Sequence, residues 1–160
     1  RGSCASGQSM EDYQQTLASV LLPLEELAAK SGVRLLIEAI NRYEINTMRT
    51  AEEILAFLDR FGLQNTYVHL DSFHMNIEEA DPAQAIRACG ARLGYYHAAD
   101  NTRRYPGCGS IDFDAQMRAL AGIGYRGCIS LECLPLPSGE EAAQRGLAAL
   151  RSSAARAGLI

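Results

Sequence analysis

The chain has 160 residues, of which 48% are hydrophobic and 21% are charged, and its formal net charge is −4. This length is enough for one domain with a sizeable core, and the composition is ordinary for a globular protein. The acidic balance gives no electrostatic reason to expect nucleic acid as a partner, and no apolar run reaches the 18 residues that a membrane span requires.

The first predicted elements are a loop, a helix, a strand and a second helix. Residues 1–10 are rich in Gly and Ser and are predicted to form a loop, and apolar residues at helical spacing predict an amphipathic helix over 11–30. The short apolar run 33–40 predicts a strand. A capping box that begins at Thr50 predicts a helix, which ends before Gly62.

The rest of the chain continues this alternation. In chain order the predicted elements are a strand at 67–71, a helix from the Asp81 N-cap to about 91, a strand at 93–98, a polar loop at 100–110, a helix at 112–121, a strand at 127–131 and a helix capped by Ser138. One helix followed by four strand–helix units predicts an α/β fold with a parallel sheet and right-handed crossovers. Periodicity leaves two architectures open, a small doubly wound sheet and half of a (β/α)8 barrel.

Five cysteines occur without a CxxC pair, which favours reduced thiols and a cytoplasmic protein. The first ten residues lack the apolar stretch of a signal peptide. Cys128 and Cys133 lie in an apolar strand context, so we predict that both are small core residues.

Each predicted strand ends in a residue that can bind a hard or borderline cation. These residues are Glu38, Asp71, His97 and Glu132, and we call them the strand-end cluster. Because the carboxyl ends of parallel strands meet at one rim, the four side chains are expected to converge there. A single acid at a strand end is usually a loop acid or a helix cap. Three carboxylates gathered by four consecutive strands would repel one another without a cation, which favours a metal site.

The donor set of the strand-end cluster suits Mn²⁺, Mg²⁺ or Co²⁺ better than a zinc site with soft ligands. Glu44, His74 and Arg103 lie in the segments that follow the strands, where a substrate would bind, and we call them the three loop residues. Glu44 could instead pair with Arg42 at the surface, and Arg103 or Arg104 could be a solvated loop charge. His69 lies two residues before Asp71 and is interpreted as structural.

Four stretches of the chain resemble the D-tagatose 3-epimerase group of the xylose-isomerase-like barrels. The stretches are LLIEAINRYE, LDSFHMNIEE, HAADNTRRYPGCG and ISLECLP, and the resemblance runs from about residue 11 to about 137. It implies the C-terminal half of a (β/α)8 TIM barrel, so that residues 1–160 form a partial domain without the first four strand–helix units. It also implies a manganese- or magnesium-type metal on the strand-end cluster, and substrate contacts from the three loop residues.

The predicted activity is that of an isomerase that epimerises a ketose sugar at C3 in the full-length protein. The metal would stabilise an enediolate, while Glu38 and Glu132, on opposite faces of the carbon, remove and return a proton. Other enzymes of the superfamily, such as dehydratases and aldose–ketose isomerases, share this metal chemistry. An abasic-site endonuclease shares a pair like Asp71 and His74, but it needs three zinc ions and more histidines.

A half-barrel would expose two sheet edges and an apolar face. We therefore expect association with a second copy, as a homo-oligomer, or with the missing half of the barrel. An inactive fragment that folds only by self-association is the alternative that involves no enzyme activity.

Overall fold

A computed structural model describes residues 2–160 of the chain. The helices are α1 (Met10–Lys30), α2 (Ala51–Phe61), α3 (Ser72–Glu78), α4 (Pro82–Cys89), α5 (Phe113–Gly122) and α6 (Gly139–Ala157). The strands are β1 (Leu35–Glu38), β2 (Thr66–Asp71), β3 (Leu93–Ala98) and β4 (Ile129–Leu131). One helix followed by four strand–helix units is therefore the observed order, as predicted.

The four strands form one parallel sheet in the order β1-β2-β3-β4. A doubly wound sheet reverses its strand order at a switch point, whereas these strands follow one another in sequence, as they do in a barrel. The register places Glu38 beside His69, and Asp71 beside His97. The carboxyl ends of adjacent strands therefore lie at one rim.

The two faces of the sheet differ in their surroundings. Ile37, Val68, Leu70 and Tyr96 lie on one face and are buried in the core that the helices cover. Alternate residues point to the opposite face, where Leu36 on β1 is 42% exposed. Within residues 2–160, no further strand pairs with the outer edge of β1 or of β4, so both predicted sheet edges are open.

Local capping explains where the helices begin and end. The Thr50 hydroxyl accepts a hydrogen bond from the N–H of Glu53, and Gly62 ends α2 with a φ of 66°. The Glu53 carboxylate accepts from the N–H of Arg49 rather than from that of Thr50, so the predicted capping box is only half formed. Ser138 caps α6 as predicted, through the N–H of Glu141.

Four expectations about local structure need correction or restriction. Helix α3 is missing from the predicted elements, and Met10 belongs to α1 rather than to the initial loop. Arg1, the first residue of that predicted loop, lies outside the described residues. The prediction that Cys128 and Cys133 are core residues is wrong: Cys128 is exposed because β4 begins only after it, and Cys133 is half-buried beyond the end of β4.

The described helices include none whose length and apolar content would allow it to cross a bilayer.

Candidate functional site: a cation-binding cluster at the strand ends

The rim of the sheet brings the whole strand-end cluster together. Glu38 and Asp71 are the last residues of β1 and β2, His97 is the penultimate residue of β3, and Glu132 directly follows β4. One ligand atom from each of the four lies within 4.8 Å of those of the other three. His97 Nδ1 lies 3.4 Å from Glu132 Oε2, 3.7 Å from Glu38 Oε1 and 4.0 Å from Asp71 Oδ2. This is the convergence that the strand pattern predicts.

Two polar atoms of the cluster are buried and lack a hydrogen bond. Asp71 is fully buried, and within residues 2–160 neither its Oδ2 nor the buried Nδ1 of His97 has a hydrogen-bond partner. Burial raises the pKa of Asp71 to about 7, and the neighbouring Glu132 carboxylate adds to this shift. Burial also lowers the pKa of His97, which favours the neutral imidazole that binds metals. The arrangement fits a divalent cation with carboxylate and imidazole ligands.

Arg103 is the cation that the chain itself places at this site. Its Nη2 lies 2.6 Å from Glu132 Oε2 and 3.8 Å from Asp71 Oδ2. Its guanidinium also stacks over the Phe73 ring at 4.5 Å from the ring centroid. Arg103 therefore joins the segment after β3 to the ligands of β2 and β4, and one guanidinium partly offsets three clustered carboxylates.

His74 and Glu44 are linked by a residue that the sequence pattern did not single out. Asn41 is buried, and its side-chain amide lies 2.7 Å from His74 Nδ1 and donates to Glu44 Oε1 at 2.9 Å. The backbone N–H of Asn41 also donates to His74 Nδ1, so the Asn41 contacts favour Nδ1 as the acceptor nitrogen, whereas the guanidinium of Arg103, which can only donate, favours Nε2 as the acceptor. Nε2 lies 3.3 Å from Arg103 Nη1, on the side of the cluster.

His69 lies beside the cluster, one position deeper in the sheet. Its ring centroid is 4.2 Å from that of His97, and its Nδ1 is 3.9 Å from Glu38 Oε2. Burial lowers the pKa of His69 to about 4, with a further contribution from His97. The ring packs against two of the predicted ligands and forms with Glu38 and His97 a second group that could hold a metal ion, so the structural interpretation of His69 stays a prediction.

Comparison with known proteins identifies the family of the chain. A sequence model of the family described as "Xylose isomerase-like TIM barrel" matches residues 2–153. The chain belongs to this family. The resemblance in the four quoted stretches is therefore confirmed, and the open choice of architecture is settled in favour of a partial barrel.

Curated relatives of this xylose isomerase-like chain include sugar epimerases. It is 40% identical over 126 residues to L-ribulose 3-epimerase of Methylomonas sp. (strain DH-1), covering 79% of this chain and 44% of that protein. It is 43% identical over 121 residues to L-ribulose 3-epimerase of Mesorhizobium japonicum, covering 76% of this chain and 41% of that protein. The chain thus matches less than half the length of these relatives.

A solved epimerase structure is also similar in fold to this family member. The D-allulose 3-epimerase of Methylomonas sp. in complex with D-allulose superposes with a TM-score of 0.77 and 35% sequence identity. The superposition covers 98% of this chain and 56% of that one. Nearly all of the fold described above therefore has a counterpart in one part of a longer epimerase chain.

Proposed function

We propose that this chain carries the metal site and the proton-transfer residues of a ketose 3-epimerase, an isomerase that inverts a sugar carbon. The observation that carries the proposal is the convergence of the strand-end cluster within 4.8 Å, in a chain about 40% identical to ketose epimerases. We further propose that the chain is the C-terminal half of the barrel, because it matches less than half of those relatives.

The residues that would hold a divalent cation are the strand-end cluster, with Mn²⁺ the preferred ion and Mg²⁺ or Co²⁺ as alternatives. Such a cation would supply Lewis-acid stabilisation of negative charge on the sugar oxygens. The orphaned Asp71 Oδ2 and His97 Nδ1 support this assignment, since buried polar atoms without partners are costly unless something binds them.

Glu38 and Glu132 are proposed as the acid and base of the reaction. One carboxylate removes the C3 proton as a general base, and the other returns a proton to the opposite face. Glu132 is suited to this work because its side chain is 45% exposed, whereas Asp71 is fully buried and caps α3 through the N–H of Phe73. The reacting carbon would therefore lie above the cluster, on its open side.

The three loop residues are proposed to orient the sugar. His74 directs Nε2 toward the cluster and toward Arg103, while its Nδ1 is contacted by Asn41. Arg103 contributes a fixed positive charge beside Glu132. Glu44 accepts a hydrogen bond from the Asn41 side chain and is more exposed than His74. These donors and acceptors can pair with the hydroxyl oxygens and the carbonyl oxygen of a ketose.

The reaction is tested by incubating the full-length protein with Mn²⁺ and ketoses in deuterium oxide. We expect deuterium to appear at C3 together with the C3 epimer. Glu132→Gln should abolish exchange, and Glu140→Gln, a matched change at the exposed start of α6, should leave it intact. Exchange at C1 or C2 alone would indicate an aldose–ketose isomerase, and loss of water would indicate a dehydratase. Absence of exchange with every ketose contradicts the proposal.

A groove between α1 and β1 supports completion of the barrel by further strands. The groove has a volume of about 280 Å³ and is lined by Leu17 and Leu21 of α1 and by Leu36 of β1. It lies along the unpaired edge of β1, where a neighbouring strand of a barrel would pair. We propose that the other half of the barrel occupies it, or a second copy when this chain is alone. Light scattering of the purified chain tests this: a stable monomer contradicts the second alternative.

A further inference from the structure

The segment between β3 and α5 is organised around one buried carboxylate, that of Asp100. This side chain is fully buried and lies at the centre of the turn that follows β3. Its Oδ2 accepts hydrogen bonds from the N–H groups of Gly107 and Gly109, both at 2.9 Å. Its Oδ1 accepts from the N–H groups of Asn101 and Ile111, at 2.9 and 3.2 Å. Four backbone donors thus converge on one acidic side chain.

The nest of backbone donors around the Asp100 carboxylate leaves no space for a side chain at Gly109. A Cβ atom on Gly109 would lie 2.3 Å from Asp100 Oδ1 and 2.1 Å from Asn101 Oδ1. Both contacts are far inside van der Waals distance. Glycine is therefore required for the loop to close on the carboxylate, and the loop geometry depends on both residues together.

The same turn fixes the backbone of Arg103. The N–H of Arg103 donates to the backbone carbonyl of Asp100, whose own N–H donates to the carbonyl of Arg104, each at 2.8 Å. Arg103 has a φ of 58°, a left-handed conformation that costs about 1 kcal/mol or more in a residue other than glycine. Its carbonyl accepts from the N–H of Leu134 at 2.7 Å, just beyond Glu132. The strained backbone aims the guanidinium at Glu132.

We propose that Asp100 is a positioning residue: its carboxylate closes the 100–111 loop so that Arg103 is held against Glu132 at the substrate side of the site. The proposal rests on the proposed function for its catalytic meaning, but the structural linkage can be tested without activity. Four charge-assisted hydrogen bonds offset the burial of the carboxylate. The hydrogen bonds of the Asp100 side chain all go to backbone N–H groups of its own loop, so it acts through Arg103.

Two variants break the nest independently, and a third serves as the matched control. Asp100→Asn turns one acceptor into an NH₂ group that faces N–H donors, and Gly109→Ala introduces the clash described above. Asp112→Asn is the control, because Asp112 is an exposed N-cap of α5 and asparagine caps as well as aspartate. Hydrogen exchange at residues 101–111 and the NMR signal of the Arg103 Nε–H group are measured in the 160-residue chain.

We expect Asp100→Asn and Gly109→Ala to speed exchange in the loop at least tenfold and to shift the Arg103 signal, and Asp112→Asn to do neither. In the full-length protein, each nest variant should lower kcat/KM about tenfold or more. When Arg103→Ala is already present, adding Asp100→Asn should lower kcat/KM by less than a further twofold, because the two residues act in series. Mn²⁺ affinity should stay within threefold, since the ligands are on the strands.

An unchanged Arg103 signal in Asp100→Asn overturns the proposal, as does an equal loss of kcat/KM in the presence and absence of Arg103. If the parent protein has no epimerase activity, the proposed function fails, and the NMR and exchange measurements still decide whether Asp100 positions Arg103.

Discussion

Replacement of Asp71 by asparagine separates the proposed metal-binding role of this residue from its structural role. Asp71 Oδ1 caps α3 by accepting from the N–H of Phe73, and an asparagine side-chain oxygen can do the same. The substitution removes only the buried negative charge and one cation ligand. We therefore expect metal-free Asp71→Asn to unfold at the temperature of the metal-free parent or slightly above it, and to lose most of the stabilisation that Mn²⁺ provides.

The size of this loss follows from linkage. At a free Mn²⁺ concentration 100 times its dissociation constant, binding stabilises the parent by about 2.7 kcal/mol. Removing an outer-shell partner of a ligand costs about 10–100-fold in metal affinity, so removing a ligand should cost ~100-fold or more. At the same Mn²⁺ concentration the variant would then gain only about 0.4 kcal/mol. For a domain of this size, these values correspond to Tm increases of ~5–11 °C and ~1–2 °C.

The assay is thermal unfolding with and without Mn²⁺, followed by circular dichroism. Asp81→Asn is the matched control, because Asp81 caps α4 through the N–H of Gln84 and lies away from the cluster. The control should keep the full Mn²⁺ effect. The reasoning is refuted if Asp71→Asn responds to Mn²⁺ as strongly as the parent, or if saturating Mn²⁺ does not stabilise the parent.

Three further predictions concern the scaffold. Leu70→Ala removes a fully buried core side chain and should lower the free energy of unfolding by about 2–5 kcal/mol in urea titrations. The control Leu147→Ala, at a position that is 47% exposed, should change this free energy by less than ~0.5 kcal/mol. Thr50→Ala should lower Tm through the loss of a cap worth about 1 kcal/mol, and Thr50→Ser should retain the parental Tm within error. Burial raises the pKa of the Cys89 thiol to about 12. At pH 8 an aromatic disulfide reagent should therefore modify exposed Cys128 well before Cys89, as mass spectrometry would show. Comparable modification rates for the two thiols would contradict the described burial.

The order of elements could be predicted because each signal is local. Apolar periodicity and side-chain caps such as Thr50 and Ser138 act within a few residues, and β3 has the predicted bounds. Helix α3 could not be predicted in the same way, because seven residues are too few to establish a helical period. Its N-cap is Asp71, a residue that the pattern had already assigned to a strand end.

The candidate site likewise contains features that local sequence signals predict and features that they do not. Convergence of the strand-end cluster follows from parallel strands alone, so it could be predicted without coordinates. The contacts of Asn41 with His74, 33 residues away, and the nest around Asp100 depend on how loops fold against each other. No spacing in the sequence encodes those hydrogen bonds. Cys128 shows the opposite error, in which an apolar neighbourhood predicted burial at a turn before a short strand.

The sequential order of the sheet has a consequence for inheritance. All four strand ends of the cluster, together with the three loop residues, fall in one uninterrupted stretch, residues 38–132. A single crossover in the gene ahead of α1 would therefore transfer the entire set at once. Such an exchange would pair an unaltered candidate site with a different set of partner loops. Recombination could therefore change the loops around the site without any intermediate that has lost one of these residues.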